Sequence, residues 1–492
     1  MGTITVSNFS GGMDRTRPIY ALENGRLWQG DNGHISRGGD FEKRKKFQSL
    51  GVNTTNTFGL SSDGVSNLYV YGSAAAPVGF PYYFTVTGIP GSLAVNYVRL
   101  QNGGANMYKV LRAEWFAGKQ YVVASFSDGK TIHFYDGVIV SDWSPGGASR
   151  PTSTDQIGDA LTYKRKMYAS IGPILYFSSY DFPASWLYVA PPNPGAGFLN
   201  MANNLRGNEQ VNALAIYKDQ LAVFSTNAIQ LWSMNNDPAL NAPGQIITGS
   251  GTVARKSVVG YGDHDVIYLA ASGIRSLRAV DYGGTATVQD LGTPIDPYLF
   301  LYDPTGIGFK YAVAVVEPID GRLWMNIGQT TYVYSYFPGK KIAAWTTYSG
   351  TGISYLESCA TVLTRTFTRD TGGTIFIYGD LDGVSYSTSD VATVQLPFMS
   401  MKDASMYKQI TGFDAAVSGT WNVDLLFDPN DLNQKVSIGT VGNMTYSAQN
   451  IGAVGYGTHI APKLVSTGSG AASISSVSLH YLSGEGDTGR RP

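Results

Sequence analysis

The segment Gln220-Leu221-Ala222-Val223-Phe224-Ser225-Thr226-Asn227-Ala228-Ile229-Gln230-Leu231-Trp232 decides the fold. A short apolar run breaks at Ser-Thr-Asn and resumes as a second apolar run ending in an aromatic. Turn residues between two β-prone runs are the signature of a hairpin. The same unit recurs on both sides. Upstream, Gln120 opens Gln-Tyr-Val-Val-Ala-Ser-Phe, a Ser-Asp-Gly-Lys turn and Thr-Ile-His-Phe-Tyr; Lys166 opens Lys-Met-Tyr-Ala-Ser-Ile, Gly-Pro and Ile-Leu-Tyr-Phe. Downstream, further copies open at Asp265, Gly321 and Thr374, and Asn67-Leu68-Tyr69-Val70-Tyr71 marks a seventh start.

The starts fall about fifty residues apart, the spacing of propeller blades. Each hairpin supplies two strands and the rest of the period has room for two more. A four-stranded blade cannot bury both faces alone, whereas blades stacked around an axis bury them on one another. The sequence therefore predicts an all-β protein: a β-propeller of about six or seven blades, with a β-rich platform formed by the terminal regions. No Trp-Asp or kelch signature fixes the blade count, and a large β-sandwich is the competing architecture. The expected divisions are an N-terminal β-segment contributing to the platform (1–60), a propeller-like repeat domain (61–395) and a C-terminal platform or sandwich (396–492). The strand Thr420–Phe427, closed by Asp428-Pro429-Asn430, and the final strand Ile474–Tyr481 belong to the last of these.

Composition agrees with this fold and narrows the role. Of 492 residues, 43% are hydrophobic, enough for a large core, and only 14% are charged, well below an average soluble domain. Glycine (59) and tyrosine (32) are abundant, and helix-forming runs are nearly absent. So little charge suits a chain that meets neighbours through Tyr, Ser, Thr and Gly, because interface cores are depleted of charge. An extracellular β-protein has a similar profile. The net charge of −1 gives no basic footprint for sequence-specific nucleic-acid binding. It leaves room for DNA to pass, since a conduit should not grip phosphates. The single cysteine, Cys359, cannot form an internal disulfide and reads as structural. No signal peptide or membrane-length apolar run is visible, so no membrane insertion is expected.

The search for chemistry gives no site: no catalytic residue, metal ligand or cofactor is predicted. The five histidines (His34, His133, His264, His459, His480) lack metal-ligand spacing. His264 lies between Asp263 and Asp265, where a polar loop explains it. Asp380 and Asp382 flank Leu381 at a spacing open to Ca²⁺ or glycosidase chemistry, but a turn accounts for both. Ser125–Thr131 partly resembles a sialidase Asp-box without its Trp or spacing, and Asn102–Ala105 opens no helix that could cradle phosphate. One dense basic run remains, Lys43-Arg44-Lys45-Lys46; in a strand it would send two side chains to each face. With Arg490 and Arg491 near the C-terminus, it forms the candidate DNA- or subunit-contact set; for the run, an exposed-edge or inter-subunit role is favoured over DNA.

Several segments together resemble the tail hub/nozzle family of short-tailed bacteriophages, the packaged-DNA stabilisation proteins. These are Tyr217–Trp232; Gly251-Thr252-Val253-Ala254-Arg255-Lys256-Ser257; Val266–Leu269 with Gly273–Leu277; Ser475–Tyr481 through Arg490-Arg491; and the Gly-Gly to Lys/Arg-rich stretch Gly38–Phe47. The resemblance covers about two thirds of the chain and rests on pattern, not on an invariant motif. It implies a non-enzymatic virion protein, assembled in the host cytoplasm as a ring, usually of six copies. The ring would lie below portal and adaptor proteins, adjoin tail fibre, spike or needle proteins, and contact viral DNA transiently in the channel. The alternative is a carbohydrate-binding or depolymerising propeller that recognises a receptor. It needs aromatic platforms beside paired carboxylates, and Trp115, Trp143, Trp186, Trp232, Trp324 and Trp345 are the candidates.

Overall fold

The computed structural model describes residues 2–50, 57–72, 82–87, 94–99, 107–116, 118–126, 132–135, 140–142, 155–186, 195–204, 209–262, 265–279, 286–299, 307–401, 404–444 and 451–483. Among the described residues, seven four-stranded antiparallel meanders follow one another. The first three span 57–99, 107–142 and 160–200; the next three span 213–248, 259–290 and 313–348. The seventh takes Leu356–Val362, Arg365–Asp370 and Ile375–Tyr378 from this part of the chain and its fourth strand, Phe47–Ser49, from the N-terminal region. The first strand of each meander neighbours the first strand of the next, and Leu356–Val362 returns to Thr57–Ser62. The sheets thus close into a ring of seven blades. This is a β-propeller.

The recurring hairpin is the second and third strand of blades one to six. Its first half reads as an unbroken apolar run because neighbouring blades cover both faces. In Leu323–Ile327 all five residues are buried, and in Gln220–Phe224 four of five are. Blade seven is out of step, since the run at Thr374 is only its third strand and the second is Arg365–Asp370.

The terminal regions form the platform. Its sheet runs Gln29–Asp31, Thr393–Gln395, Ala461–Ser466, Lys408–Leu426, Ser473–Ser483, Phe41–Lys43, Gly33–Ile35, with Gly2–Val6 on Ser473–Ser483. Lys435–Met444 and Gly455–Gly457 pair with Lys408–Leu426. The two end strands of that order are separated in sequence only by Asn32, which turns the chain in a left-handed conformation (φ 52°). The sheet therefore curls around its own core of Phe9, Leu27, Phe41, Phe413, Trp421 and Leu479. Lys408–Leu426 changes partners along its 19 residues, and bulges at 410/412 and 417/420 supply the bend. The expected boundaries shift slightly: Phe47–Ser49 belongs to the propeller, which restarts at Thr57, and Thr393–Gln395 belongs to the platform.

Candidate functional site

The basic run lies at the seam between platform and propeller, and only Lys43 is in a strand. Lys43 is buried, and its Nζ donates to the carbonyls of Ser387 (2.8 Å) and Gly468 (2.7 Å). Arg44 is fully buried and forks onto Asp390 at 2.8 and 3.1 Å; it also donates to Asn32 Oδ1 and the Ser349 carbonyl. Lys46 pairs with Asp380 at 2.6 Å, and Lys45 is partly exposed. The expectation of a DNA or subunit contact is thereby corrected at Lys43 and Arg44. A buried cation must be paired and hydrogen-bonded, and these two spend their donors inside the chain. Arg490 and Arg491 lie outside the described residues.

The carboxylate pair forms the expected turn. Asp382 accepts from the backbone of Val384 and Ser385, and Asp380 (φ 63°) accepts from the Leu381 N–H. Among the described residues no group of three or more His, Cys, Asp and Glu side chains is placed to hold a metal. His264 and Asp263 lie outside them, as do Trp143, residues 102–105 and residues 127–131. His34 is buried with Nδ1 2.6 Å from the Tyr348 hydroxyl, and burial pushes its pKa down to about 4. Asp414, His480 and Thr3 form a carboxylate–imidazole–hydroxyl line of 2.6 and 3.0 Å, a geometry the sequence did not suggest. It crosses three adjacent strands of the platform sheet, with Thr3 directly opposite His480 and Asp414 diagonal to it, ends on an exposed threonine and lines none of the cavities described below. A nucleophile also needs a place for substrate and oxyanion donors. The tryptophans that an aromatic platform would draw on are mostly core: Trp186, Trp232, Trp324 and Trp345 are buried, whereas Trp115 is exposed and stacks on Tyr69.

Among the described residues, two accessible features bear on function. The first is the axial channel of the propeller, walled by the inner strands. Its main cavity has a volume of about 420 Å³ and is lined by Ser61, Arg112, Asp159, Arg255, Lys256 and Thr361, among others. A second compartment of about 180 Å³ shares Leu111, Arg255 and Lys256 with it and adds Phe58, Lys310, Tyr311 and Glu357. Arg255 and Lys256 thus stand at the neck between the two. Cys359 lines the main cavity, and burial pushes its thiol up to about 12, so it stays protonated at neutral pH. A further cavity of about 390 Å³ opens in the N-terminal region, around Asn8, Glu23 and Arg26.

The second feature is a corner of the platform sheet. Gln409 pairs with Tyr456 on one side and Leu482 on the other, so these side chains stand in a row on one face. Tyr407 and Val454 lie just outside these strands, each two residues before one of the paired positions. Tyr407 (71%) and Tyr456 (61%) are strongly exposed, and so are Val454 and Leu482.

No protein-family model matches the chain, and no curated protein sequence does. Among solved structures, the chain is similar to the Pan2 WD40 domain of Neurospora crassa, with a TM-score of 0.41 and 6% identity over 70% of this chain and 97% of that one. The BamB protein of Moraxella catarrhalis has a TM-score of 0.36 and 10% identity, covering 71% and 96%. The computationally designed Ika8 protein has a TM-score of 0.35 and 10% identity, covering 67% and 98%. The propeller assignment rests on the strand pairing and ring closure described above. Among the described residues, no helix is long and apolar enough to cross a membrane.

Proposed function

We propose that this chain is a structural subunit of a short-tailed phage tail, a hub or nozzle protein that assembles as a ring, retains packaged DNA and conducts it during ejection. The observation that carries the reading is the apolar corner Tyr407–Val454–Tyr456–Leu482 on a chain with little charge. Contiguous exposed apolar groups rimmed by polar residues mark interaction surfaces, and tyrosine is enriched there. The occupant in this reading is a second copy of the chain. A cyclic ring needs a heterologous contact, in which this corner meets a different surface on the next subunit.

The conduit in this reading is the lumen of the ring and not the propeller axis. A sphere of 420 Å³ is only about 9 Å across, while the major groove of duplex DNA alone is about 12 Å wide. Electron microscopy and light scattering of the purified chain test the proposal. Closed rings are expected, and Tyr407→Ser combined with Tyr456→Ser should shift them to monomers. A wild-type protein that stays monomeric at every concentration, alone and with portal and adaptor proteins, would remove the reading.

A further inference from the structure

The platform sheet has two open edges, and they lie on opposite flanks. Val417 of the long strand Lys408–Leu426 pairs with Ile474 of Ser473–Ser483 on one side and with Met444 of Lys435–Met444 on the other. Ile410 likewise lies between Tyr481 and Gly455. Lys435–Met444 and the strand that bears Tyr456 therefore share one flank. Gly2–Val6 pairs with the far side of Ser473–Ser483 and so lies on the opposite flank. Among the described residues, no strand pairs with the outer edge of Gly2–Val6 or of Lys435–Met444. Their exposure agrees: in 435–443 only Val441 is buried, and Thr3 and Thr5 are exposed.

An open strand edge presents backbone donors and acceptors to any other chain, and native proteins guard it with free charge, proline or bulges. Gly-Thr-Ile-Thr-Val has no charge and no proline. Lys-Val-Ser-Ile-Gly-Thr-Val-Gly-Asn-Met has one charge, Lys435, and Asp424 holds it at 2.7 Å. One bulge, at Val423/Asp424, interrupts this strand and leaves 439–442 in regular register. The two edges also match face to face. In Gly2–Val6, Thr3 and Thr5 bond His480 and Ser478 on the outer face, while Val6 is buried in the platform core and Ile4 packs against it. In Lys435–Met444, Thr440 bonds Asn422 on the outer face, while Val441 is buried in that core and Ile438 packs against it. Laid side by side, such strands keep hydroxyls beside hydroxyls and β-branched apolar groups on the core face, the pairing that stabilises sheets. Each blade also ends in an outer strand, but its other edge faces the propeller axis, so no blade offers a neighbour two edges.

We propose that Gly2–Val6 of one copy adds to the open edge of Lys435–Met444 in the next copy, so that the platform sheets run on from subunit to subunit. The pairing rests on the ring reading above and supplies its heterologous contact. One flank brings Lys435–Met444 and the tyrosine corner, and the other brings Gly2–Val6. Strand addition gives affinity through main-chain hydrogen bonds and specificity through alternate side chains. Two different edges, each used once, pass the contact from copy to copy as a ring needs; two Lys435–Met444 strands paired with each other would close at a dimer.

Cross-linking of the full chain in a Cys359→Ser background tests it. Thr5→Cys combined with Thr440→Cys, both at exposed outer-face positions, should give a ladder of covalent oligomers with a short bismaleimide, and either substitution alone should give none. Val436→Lys adds a free charge to the open edge at a side chain that is 39% exposed, so the fold, read by circular dichroism, should persist while rings disappear under the electron microscope. Should that variant unfold, the ladder alone decides. Wild-type rings without a ladder in the double variant, or rings that persist in Val436→Lys, would leave the ring standing and overturn the strand pairing. Dimers cross-linked through Thr440→Cys alone would overturn it in favour of a self-paired edge. A wild type that forms no rings would remove both.

Discussion

His34 shows how a single side chain ties the two parts of the molecule together. It sits on the platform strand Gly33–Ile35, yet its ring meets the hydroxyl of Tyr348 from blade six. Glu42 lies 3.6 Å from the other ring nitrogen, and Arg322 and Asp320 act on it from the propeller side. Burial is the largest influence and disfavours the imidazolium, with Arg322 adding to it; the folded-state pKa of about 4 lies below the ordinary 6.5. A depressed pKa means the neutral ring is part of the folded state. Its contribution is present above pH 6.5 and is lost as pH falls from there towards 4. The expected loss is about 3 kcal/mol. Urea unfolding of the wild type and of His34→Gln at pH 7 and pH 4.5 measures it. The wild type should lose more stability between the two pH values; parallel losses would acquit His34.

Among the elements, the three-residue strand Phe47–Ser49 has an influence out of proportion to its length. By pairing with Ile375–Tyr378 it joins the N-terminal region to the last blade and completes the ring. Phe47 anchors it, with its ring 5.0 Å from Tyr378 and 5.8 Å from Trp324. Gly352 (φ 81°) lies so close that a Cβ there would come within 2.4 Å of the Phe47 Cβ. Phe47→Ala should therefore cost about 3–5 kcal/mol, as other buried aromatic truncations do. It should also make blade seven the first site of proteolysis, read by limited digestion and mass spectrometry. First cleavage in another blade would show that closure does not depend on this strand.

This element also marks the limit of what the sequence makes legible. The hairpins at 67, 120, 166, 220, 265 and 321 stand out because each central strand is apolar on both faces, which is a local property. Phe47–Ser49 has no comparable pattern, and its partner lies more than 320 residues away. The basic run fails as a surface feature for the same reason, since Arg44 is neutralised by Asp390, 346 residues further along. The axial cations are not legible as a group in the sequence because Arg112, Arg255, Lys256 and Lys310 come from different blades or the connections between them, and only ring closure brings them together.

At the scale of the whole molecule, platform and propeller share a core and do not merely touch. Ile342 and Ala344 belong to the outer strand of blade six, yet both pack in the platform core with Phe9, Leu27 and Phe41. That same strand continues sideways into the platform sheet through the pairing of Thr347 with Asp31. Arg44 and Asp390 sit in the seam with almost no access to water. Separating the parts would expose apolar surface and strand a buried ion pair, a cost that favours joint unfolding. Scanning calorimetry of the full chain should therefore show a single cooperative transition despite the length of the chain. Removal of residues 393–492 should leave an insoluble propeller, because Ile342, Ala344 and Leu27 lose their cover. Two resolved transitions, or a soluble truncated chain that melts cooperatively, would mean that blade six supports itself and that the shared core contributes contact without coupling.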